Sequence, residues 1–245
     1  MEKTKIDWCD STWNPVTGCL HGCEYCYARR IAERFSGKRV LKYGARAELF
    51  EQTCTAGKAE PYPFGFKPTF HRYRLNEYQS KKGRNIFVCS MADLFGEWVP
   101  DEWIEEVFEA CERATQHNYL FLTKNPKRYE KLLDRYMPPN MWFGWSQTGP
   151  MGNKCDFSTH HSVKTFISIE PLLEPFEKFH IKGIDWVIIG AETGRRKNKI
   201  VPERKWIEDI VNVCRENQIP VFLKSSLADI WGEPLIQEFP AELRR

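Results

Sequence analysis

No stretch of this chain is apolar for the ~20 residues that a bilayer-spanning helix needs. The opening Met1-Glu-Lys-Thr-Lys-Ile-Asp7 has no apolar run of the signal-peptide kind. Both absences lead to the expectation of a cytoplasmic protein with no membrane partner. A large basic excess is also missing. Lys and Arg number 36 against 33 Asp and Glu, a formal charge of only +3, so composition alone does not mark a nucleic-acid-binding protein. Basic residues do gather locally at Arg29–Arg30, Lys81–Lys82–Arg84, Arg195–Arg196–Lys197–Lys199 and Arg244–Arg245. No internal repeat and no low-complexity segment occurs, which excludes a solenoid and a long disordered tract. Nine cysteines are present. An odd number cannot pair completely within one chain, and disulfides are rare in the cytoplasm. Those cysteines therefore need another explanation.

What is present suits one large α/β unit. A chain of 245 residues has the length of a single barrel. We expect one domain over residues 1–245 with an irregular insertion around 36–65. Short β-rich runs lie at Thr12–Thr17, Phe66–His71, Asn85–Ser90, Tyr119–Thr123, Met141–Ser146, Lys164–Ile169, Asp185–Gly190 and Pro220–Lys224. They are apolar without strict alternation, as strands buried on both faces are.

Helical patterns lie between many of them. After Pro100, Asp101 can cap a helix, and Ile104, Val107, Phe108 and Cys111 recur on one face. The segment Glu203–Glu216 repeats this with Trp206, Ile207, Ile210, Val213 and Cys214. Tyr27–Phe35, Asn125–Tyr136 and Arg72–Lys82 are further helix candidates. Alternating strand and helix implies a parallel sheet. The gaps Ser146 to Lys164 and Ile169 to Asp185 leave little room for long helices. The expected fold is therefore α/β, a partial or irregular (β/α) TIM-like barrel.

Such barrels carry their chemistry where the strands end. The polar residues there are Ser90 and Asp93, Thr123 and Lys124, Ser146 and Gln147, Glu170, Glu192, and Lys224–Ser225–Ser226. Their recurrence after successive strands points to a shared pocket.

The segment Gly18-Cys-Leu-His-Gly-Cys-Glu-Tyr-Cys-Tyr27 sets Cys19, Cys23 and Cys26 in a C-x3-C-x2-C pattern. Thiolates are the usual ligands of iron–sulfur clusters. Three protein thiolates on a [4Fe–4S] cube leave one iron open, as catalytic metal sites keep one position free. Gly18 and Gly22 suit a loop that bends around such a group. Two other readings stand beside this one: zinc with His21 as fourth ligand, and thiols without metal.

This loop, with Tyr25 before its last cysteine, resembles the signature of the radical S-adenosylmethionine superfamily. More widely the chain resembles a phage-associated radical-SAM-like family of poorly defined function. The likeness rests on Trp13-Asn-Pro-Val-Thr-Gly-Cys19, Cys23-Glu-Tyr-Cys-Tyr-Ala28, Ile86-Phe-Val-Cys-Ser-Met-Ala-Asp-Leu-Phe95, Leu122-Thr-Lys124, Trp142-Phe-Gly-Trp-Ser146, Ser168-Ile-Glu-Pro-Leu172 and Asp185-Trp-Val-Ile-Ile-Gly-Ala-Glu-Thr-Gly194. It departs in the gap after Cys19, near Phe222–Ser226, and in lacking a Gly-Gly-Glu motif after the second strand.

The resemblance implies a barrel of the radical SAM type, with Cys19, Cys23 and Cys26 as cluster ligands. It further implies S-adenosyl-L-methionine as cofactor, cleaved to a 5′-deoxyadenosyl radical, and an electron donor such as flavodoxin or ferredoxin. The adenine then lies near Tyr25. Lys124 is assigned to the methionyl carboxylate, Ser90 and Asp93 to the amino group, and Thr123, Ser146 and Glu170 to the ribose hydroxyls. Glu192 is assigned to the adenosyl part or the substrate. Cys89, near a strand end, is a candidate hydrogen-atom donor, and Lys224 a second catalytic candidate. Cys111 and Cys214 read as core, and Cys9, Cys54 and Cys155 as loop thiols. The family points to a nucleobase or nucleotide in phage or host nucleic acid as substrate. Peptide modification is the rival enzyme reading, and a non-catalytic metal- or nucleic-acid-binding module the rival class.

Overall fold

The structure is a computed structural model that describes residues 4–36, 49–51, 60–132, 137–150, 163–194, 196–232 and 234–244. The first apolar run divides at Asn14–Pro15 into β1 (Ser11–Trp13) and β2 (Val16–Thr17). Proline has no N–H to give to a ladder, and the two halves join different sheets. The helix α1 (Tyr27–Phe35) has the expected bounds. After it come β3 (Phe50–Glu51) and β4 (Thr69–Phe70); β4 is the centre of a small three-stranded sheet and pairs with β2 on one side and β3 on the other. The run Phe66–His71 thus belongs to this side sheet and not to the barrel. The Arg72–Lys82 helix is not formed: one 3-10 turn at Arg72–Arg74 is followed only by turns.

The remaining elements are β5 (Asn85–Val88), α2 (Asp101–Glu112), β6 (Asn118–Thr123), α3 (Lys127–Leu132), β7 (Met141–Ser146), β8 (Lys164–Ile169), β9 (Trp186–Ile189), α4 (Arg204–Glu216), β10 (Val221–Leu223) and α5 (Ala228–Trp231). Asp101 is the first residue of α2 and not its cap. Pro100 holds the cap position, and the Asp101 carboxylate pairs with Arg128. The C-terminal end of the 125–136 helix lies outside the described residues. No helix separates Ile169 from Trp186, as the short gap requires.

Seven parallel strands run in the order β1-β5-β6-β7-β8-β9-β10 and curl into a half-barrel, the partial TIM-like barrel expected from the sequence. Strand alternation sends neighbouring side chains to opposite faces. Ile86, Val88, Phe121, Phe143, Ile167 and Val187 pack outward with Ile104, Val107 and Phe108 of α2 and Ile207, Ile210 and Cys214 of α4. Phe87, Leu120, Trp142, Phe166, Trp186, Ile188 and Phe222 face the concave side, joined by Trp8 and Leu243 from the two ends of the chain. Gly144 lies in this inner row because a Cβ there would fall inside 3.0 Å of the Phe166 ring.

The aromatic inner row fills the base of the half-barrel. The C-terminal segment closes it from below, with Leu243 and Glu242 carbonyls accepting from the Asn85 and Asn118 amides at 2.8 and 3.1 Å. The outer edge of β10 is paired too: Leu223 N–H donates to the Ile236 carbonyl at 2.7 Å and Glu238 N–H to Val221 at 2.9 Å. That pairing leaves no open ladder at this edge. With the base packed and polar residues at the strand tips, the accessible space opens at the C-terminal ends. No helix among the described residues is long and apolar enough to cross a membrane.

Candidate active site at the strand ends

A cavity of about 640 Å³ opens there, within the size range of small-molecule sites. Cys19, Cys23 and Cys26 line it, together with Tyr25, Ser90, Asp93, Thr123, Lys124, Ser146, Glu170, Glu192 and Lys224. Residues spread over two hundred positions of sequence thus meet at one wall, because every strand of a parallel sheet ends on the same side.

The cysteine loop is tied down by its backbone. Gly18 N–H donates to the Met91 carbonyl at 2.8 Å and Cys19 N–H to Phe66 at 3.2 Å. Gly18 has φ +87°, and a Cβ there would fall inside 3.0 Å of the Lys67 carbonyl. Both the left-handed backbone and the close approach demand glycine. Gly18→Ala is expected to cost about 2 kcal/mol or more, measured by urea denaturation, and to impair iron uptake by the loop. At the other end of the loop Cys26 caps α1, its sulfur accepting from Arg29 N–H at 3.4 Å. The Tyr27 hydroxyl donates to the Ser90 carbonyl at 2.7 Å, fastening the helix start to the end of β5.

Asp93 joins the loop to the barrel. Its Oδ1 accepts from Phe95 N–H at 3.0 Å and the Thr123 hydroxyl at 2.7 Å. Its Oδ2 bonds His21 Nε2 at 2.7 Å and accepts from Lys124 N–H at 2.8 Å. A carboxylate offers about four acceptor sites, and all are taken. Thr123 in turn accepts from Asn125 N–H at 2.9 Å. Asp93 therefore shapes the wall and has no acceptor site left for the amino group expected there, whereas the Thr123 hydroxyl keeps one acceptor site. His21 also stacks edge-on against Trp98, with ring centroids 4.8 Å apart.

Opposite, Glu170 pairs with Lys224 across Gly190. Next to them Ser226 Oγ accepts from Ala191 N–H at 3.0 Å, and Asp7 Oδ2 from Ser225 N–H at 2.8 Å. Burial pushes the Asp7 carboxyl up, but the Ser225 bonds outweigh it and hold it below the ordinary range. Arg196 clamps Glu192 with two bonds of 2.7 Å and reaches Glu24 of the cysteine loop at 3.2 Å. The clamp lowers the Glu192 carboxyl below its usual range against the opposing effect of burial. Lys124 Nζ lies 5.4 Å from the centre of the Tyr25 ring. Burial raises the Tyr25 phenol, and the Lys124 charge acts against it.

One residue departs from this gathering. Cys89 packs in the outer core and does not line the cavity. Its φ of +57° turns the chain out of strand geometry, so alternation from Phe87 no longer predicts its direction. Burial raises its thiol to about 12. Cys111 and Cys214 are buried on helix faces, and Cys9 is partly buried beneath the concave row. Cys54, Cys155, Arg195 and Arg245 lie outside the described residues.

Several lining residues escaped the sequence reading. Asn14 Oδ1 accepts from Met91 N–H at 2.9 Å and the Ser90 hydroxyl at 3.2 Å; a polar residue before a strand-splitting proline was its signal. Ser168 lies two residues before Glu170 on the same strand face, a period-2 signal. Trp8 had none, because only the return of the N-terminal segment onto the concave face brings it there.

The donor set suits an iron–sulfur cube. Cys19, Cys23 and Cys26 are unpaired, partly exposed thiols on one loop. Burial raises the Cys19 thiol to about 12, and the charges of Asp93, Cys23 and Cys26 add to the effect. A cationic group among them is what their joint ionisation requires. No group of three His, Cys, Asp or Glu among the described residues converges on a single ion; a cube instead gives each thiolate a different iron.

Residues 3–236 match the model of a family described as "Protein of unknown function (DUF5131)", a description that carries neither an activity nor a phage association. No curated protein matches the chain. Among solved structures, a double mutant of spore photoproduct lyase with bound AdoMet and dinucleoside spore photoproduct is similar at 12% identity and TM-score 0.53, over 89% of this chain and 78% of that one. A single mutant of the same lyase is similar at 13% identity and TM-score 0.50, over 91% and 79%. At such identities the likeness is one of fold.

Proposed function

The chain belongs to the protein family DUF5131, and from that premise we propose that it is a radical S-adenosylmethionine enzyme acting on a nucleobase or nucleotide of nucleic acid, phage or host. One observation carries the reading: the three loop cysteines and the polar ends of six successive strands, β5 to β10, line the same cavity. A module that only bound metal or nucleic acid would not need that convergence. The lyase with bound AdoMet and a dinucleoside has the same fold, which supports both cofactor and substrate class.

Cys19, Cys23 and Cys26 would hold the [4Fe–4S] cluster. When bound and reduced, by a donor of the flavodoxin or ferredoxin kind, it supplies the electron that cleaves S-adenosylmethionine to a 5′-deoxyadenosyl radical. The chain's own residues bind, orient and shield. Lys124 offers a cation for the methionyl carboxylate, with Tyr25 beside it for the adenine. Ser90, Ser146 and Glu170 face the cavity for the amino and hydroxyl groups. Asp93 and Thr123 hold these elements in place. Arg196 and Glu192 draw the loop after β9 over the cysteine loop, excluding water from the reacting centre. Lys224, paired with Glu170, is set to hold a proton or a substrate oxygen.

The test is anaerobic reconstitution with iron and sulfide. The protein is expected to gain a reducible cluster and to form 5′-deoxyadenosine after dithionite. Zinc at one equivalent, or no cluster absorbance, would sink the reading. For the substrate, host or phage nucleic acid is incubated with the reduced enzyme, digested, and its nucleosides compared by mass. A changed nucleoside is expected; unchanged nucleosides alongside robust cofactor cleavage would move the substrate to peptides.

A further inference from the structure

We propose that the rim of this cavity binds a single-stranded segment of a polynucleotide and passes one of its nucleotides into the site. The proposal rests on the nucleobase reading above and deepens it: the substrate is a base within a strand, not a free nucleoside. Four basic clusters stand out in the sequence, and the fold sorts them into two pairs. Lys81, Lys82 and Arg84 precede β5, and Arg84 Nη1 donates to Ser11 Oγ at the start of β1, at 2.9 Å. Arg244 follows Leu243, which packs under the concave row. Both of these clusters lie at the base, away from the cavity. Arg29 and Arg30 lie on α1, and Arg196, Lys197 and Lys199 on the loop after β9. Residues of α1 and of that loop line the cavity, so this second pair of clusters borders its mouth.

The two segments meet. Arg196 Nη1 donates to Glu24 at 3.2 Å, and a Cβ on Gly194 would stand 2.7 Å from an Arg30 guanidinium nitrogen. Arg196, Lys199 and Arg30 all act on the Glu192 carboxylate. Two acids, Glu24 and Glu192, therefore stand among three cations from two segments. Arg29, Arg34 and Lys197 add to that excess, against Glu33 as the one acid of α1. Arg30, Arg34, Lys197 and Lys199 are exposed. In a chain whose formal charge is only +3, the basic excess is concentrated where phosphates would arrive.

Apolar surface gathers on the same two segments. Among the described residues, the exposed large hydrophobics are Leu20, Tyr27, Ile31, Phe35, Ile200 and Val201. Scattered exposed apolar side chains are ordinary, but their concentration in one place marks an interaction surface. Tyr27, Ile31 and Phe35 recur at i, i+4 and i+8 and form one stripe along α1. Tyr27 and Ile31 line the cavity and Phe35 does not. The stripe thus starts in the cavity and leads about 12 Å along the helix away from it. At its far end the Arg34 guanidinium stands 5.5 Å from the centre of the Phe35 ring, a phosphate-binding fork beside a stacking face.

Shape and charge together select a strand. A free nucleoside that fills the cavity leaves the stripe and the outer cations uncovered. A folded acidic protein docked on the rim covers both and leaves the cavity empty. A strand occupies all three: its phosphates meet the arginines and lysines, its bases stack along α1, and one nucleotide enters the cavity, as chemistry on a base within a polymer requires.

The experiment follows fluorescence anisotropy of a labelled, mixed-sequence single-stranded DNA of about 15 nucleotides, and of its duplex, from about 50 to 200 mM salt. The full chain is used unreduced, both as isolated and after reconstitution. Lys197→Gln with Lys199→Gln is expected to weaken the single strand about tenfold at low salt. The pair should also flatten the slope of log affinity against log salt by about 1.4, since each phosphate contact to a single strand contributes about 0.7. Phe35→Ala is expected to weaken the strand about tenfold with the slope unchanged, because stacking releases no counterions. Lys81→Gln with Lys82→Gln makes the same charge change at the base and should stay within about twofold. The duplex should bind more weakly than the single strand.

Equal losses from the rim and base lysine pairs overturn the proposal, as does unchanged affinity in both rim variants. A duplex bound as tightly as the single strand overturns it too. Rim variants that keep full strand affinity but slow reduction of the cluster by flavodoxin overturn it by assigning the rim to the electron donor. Strand binding on the rim without 5′-deoxyadenosine formation after dithionite defeats the radical reading and leaves the rim standing. Cofactor cleavage without strand binding does the reverse.

Discussion

Cys23→Ala is expected to abolish bound iron and to reduce S-adenosylmethionine cleavage by more than about 100-fold, since loss of even the groups that only orient metal ligands costs about 10–100-fold. Cys23 lies in the middle of the loop, between Cys19 and Cys26, and all three thiols face the cavity. Two thiolates on a cube leave a second iron without a protein ligand, and the group becomes labile. The fold should survive. Cys23 is partly exposed and belongs to none of the core clusters, so the cost in stability should stay within about 0.5 kcal/mol. The measurements are iron content and cluster absorbance after reconstitution, 5′-deoxyadenosine after dithionite, and the urea midpoint. Full iron content with undiminished cleavage would remove Cys23 from the ligand set.

Asp93→Asn should be the most damaging change outside the cysteines. The substitution keeps the shape and alters only which atoms accept. Four donors converge on this carboxylate: Phe95 N–H, the Thr123 hydroxyl, His21 Nε2 and Lys124 N–H. An amide nitrogen in place of either oxygen confronts two of them with another donor. Hydrogen bonds to a charged group contribute about 1.5–3 kcal/mol each. Asp93 is only 5% exposed, so water cannot replace them. A loss of about 3 kcal/mol in urea denaturation is expected. With it should come a 10–100-fold fall in S-adenosylmethionine cleavage, because the cysteine loop is no longer registered against the β5 and β6 ends. Equal stability of the variant and the original would show that the His21 and Thr123 contacts carry little of the site's order.

The outcomes for individual residues show how far sequence reading reaches. The C-x3-C-x2-C ligand set is complete within eight residues, so its spacing alone identifies candidate ligands. The ends of β6, β7, β8 and β10 were legible from the apolar runs that precede them. Thr123, Lys124, Ser146, Glu170 and Lys224 all reach the cavity as those runs predict. Errors arose where a local signal has two tertiary outcomes. Phe66–His71 has strand composition, yet pairs with β2 outside the barrel. Cys89 follows a strand, yet a left-handed backbone turns it into the core. Asp93 lines the cavity as expected, but partners that fill its acceptor sites come from two other segments.

By itself, the sequence determined the three-cysteine loop, the glycine that lets it turn, and the parallel succession of strands whose tips gather on one side. Each of these depends on residues close together in the chain, or on a backbone rule that holds for every parallel sheet. Only the tertiary structure decided which polar groups are already satisfied and which are left open. Asp93 is closed by four donors from three segments, whereas Trp8 Nε1 and Ser168 Oγ are each buried without a hydrogen-bond partner. The physical reason is that a hydrogen bond is a matter of a few tenths of an ångström between groups brought together by strand register. No pattern along the chain records that distance.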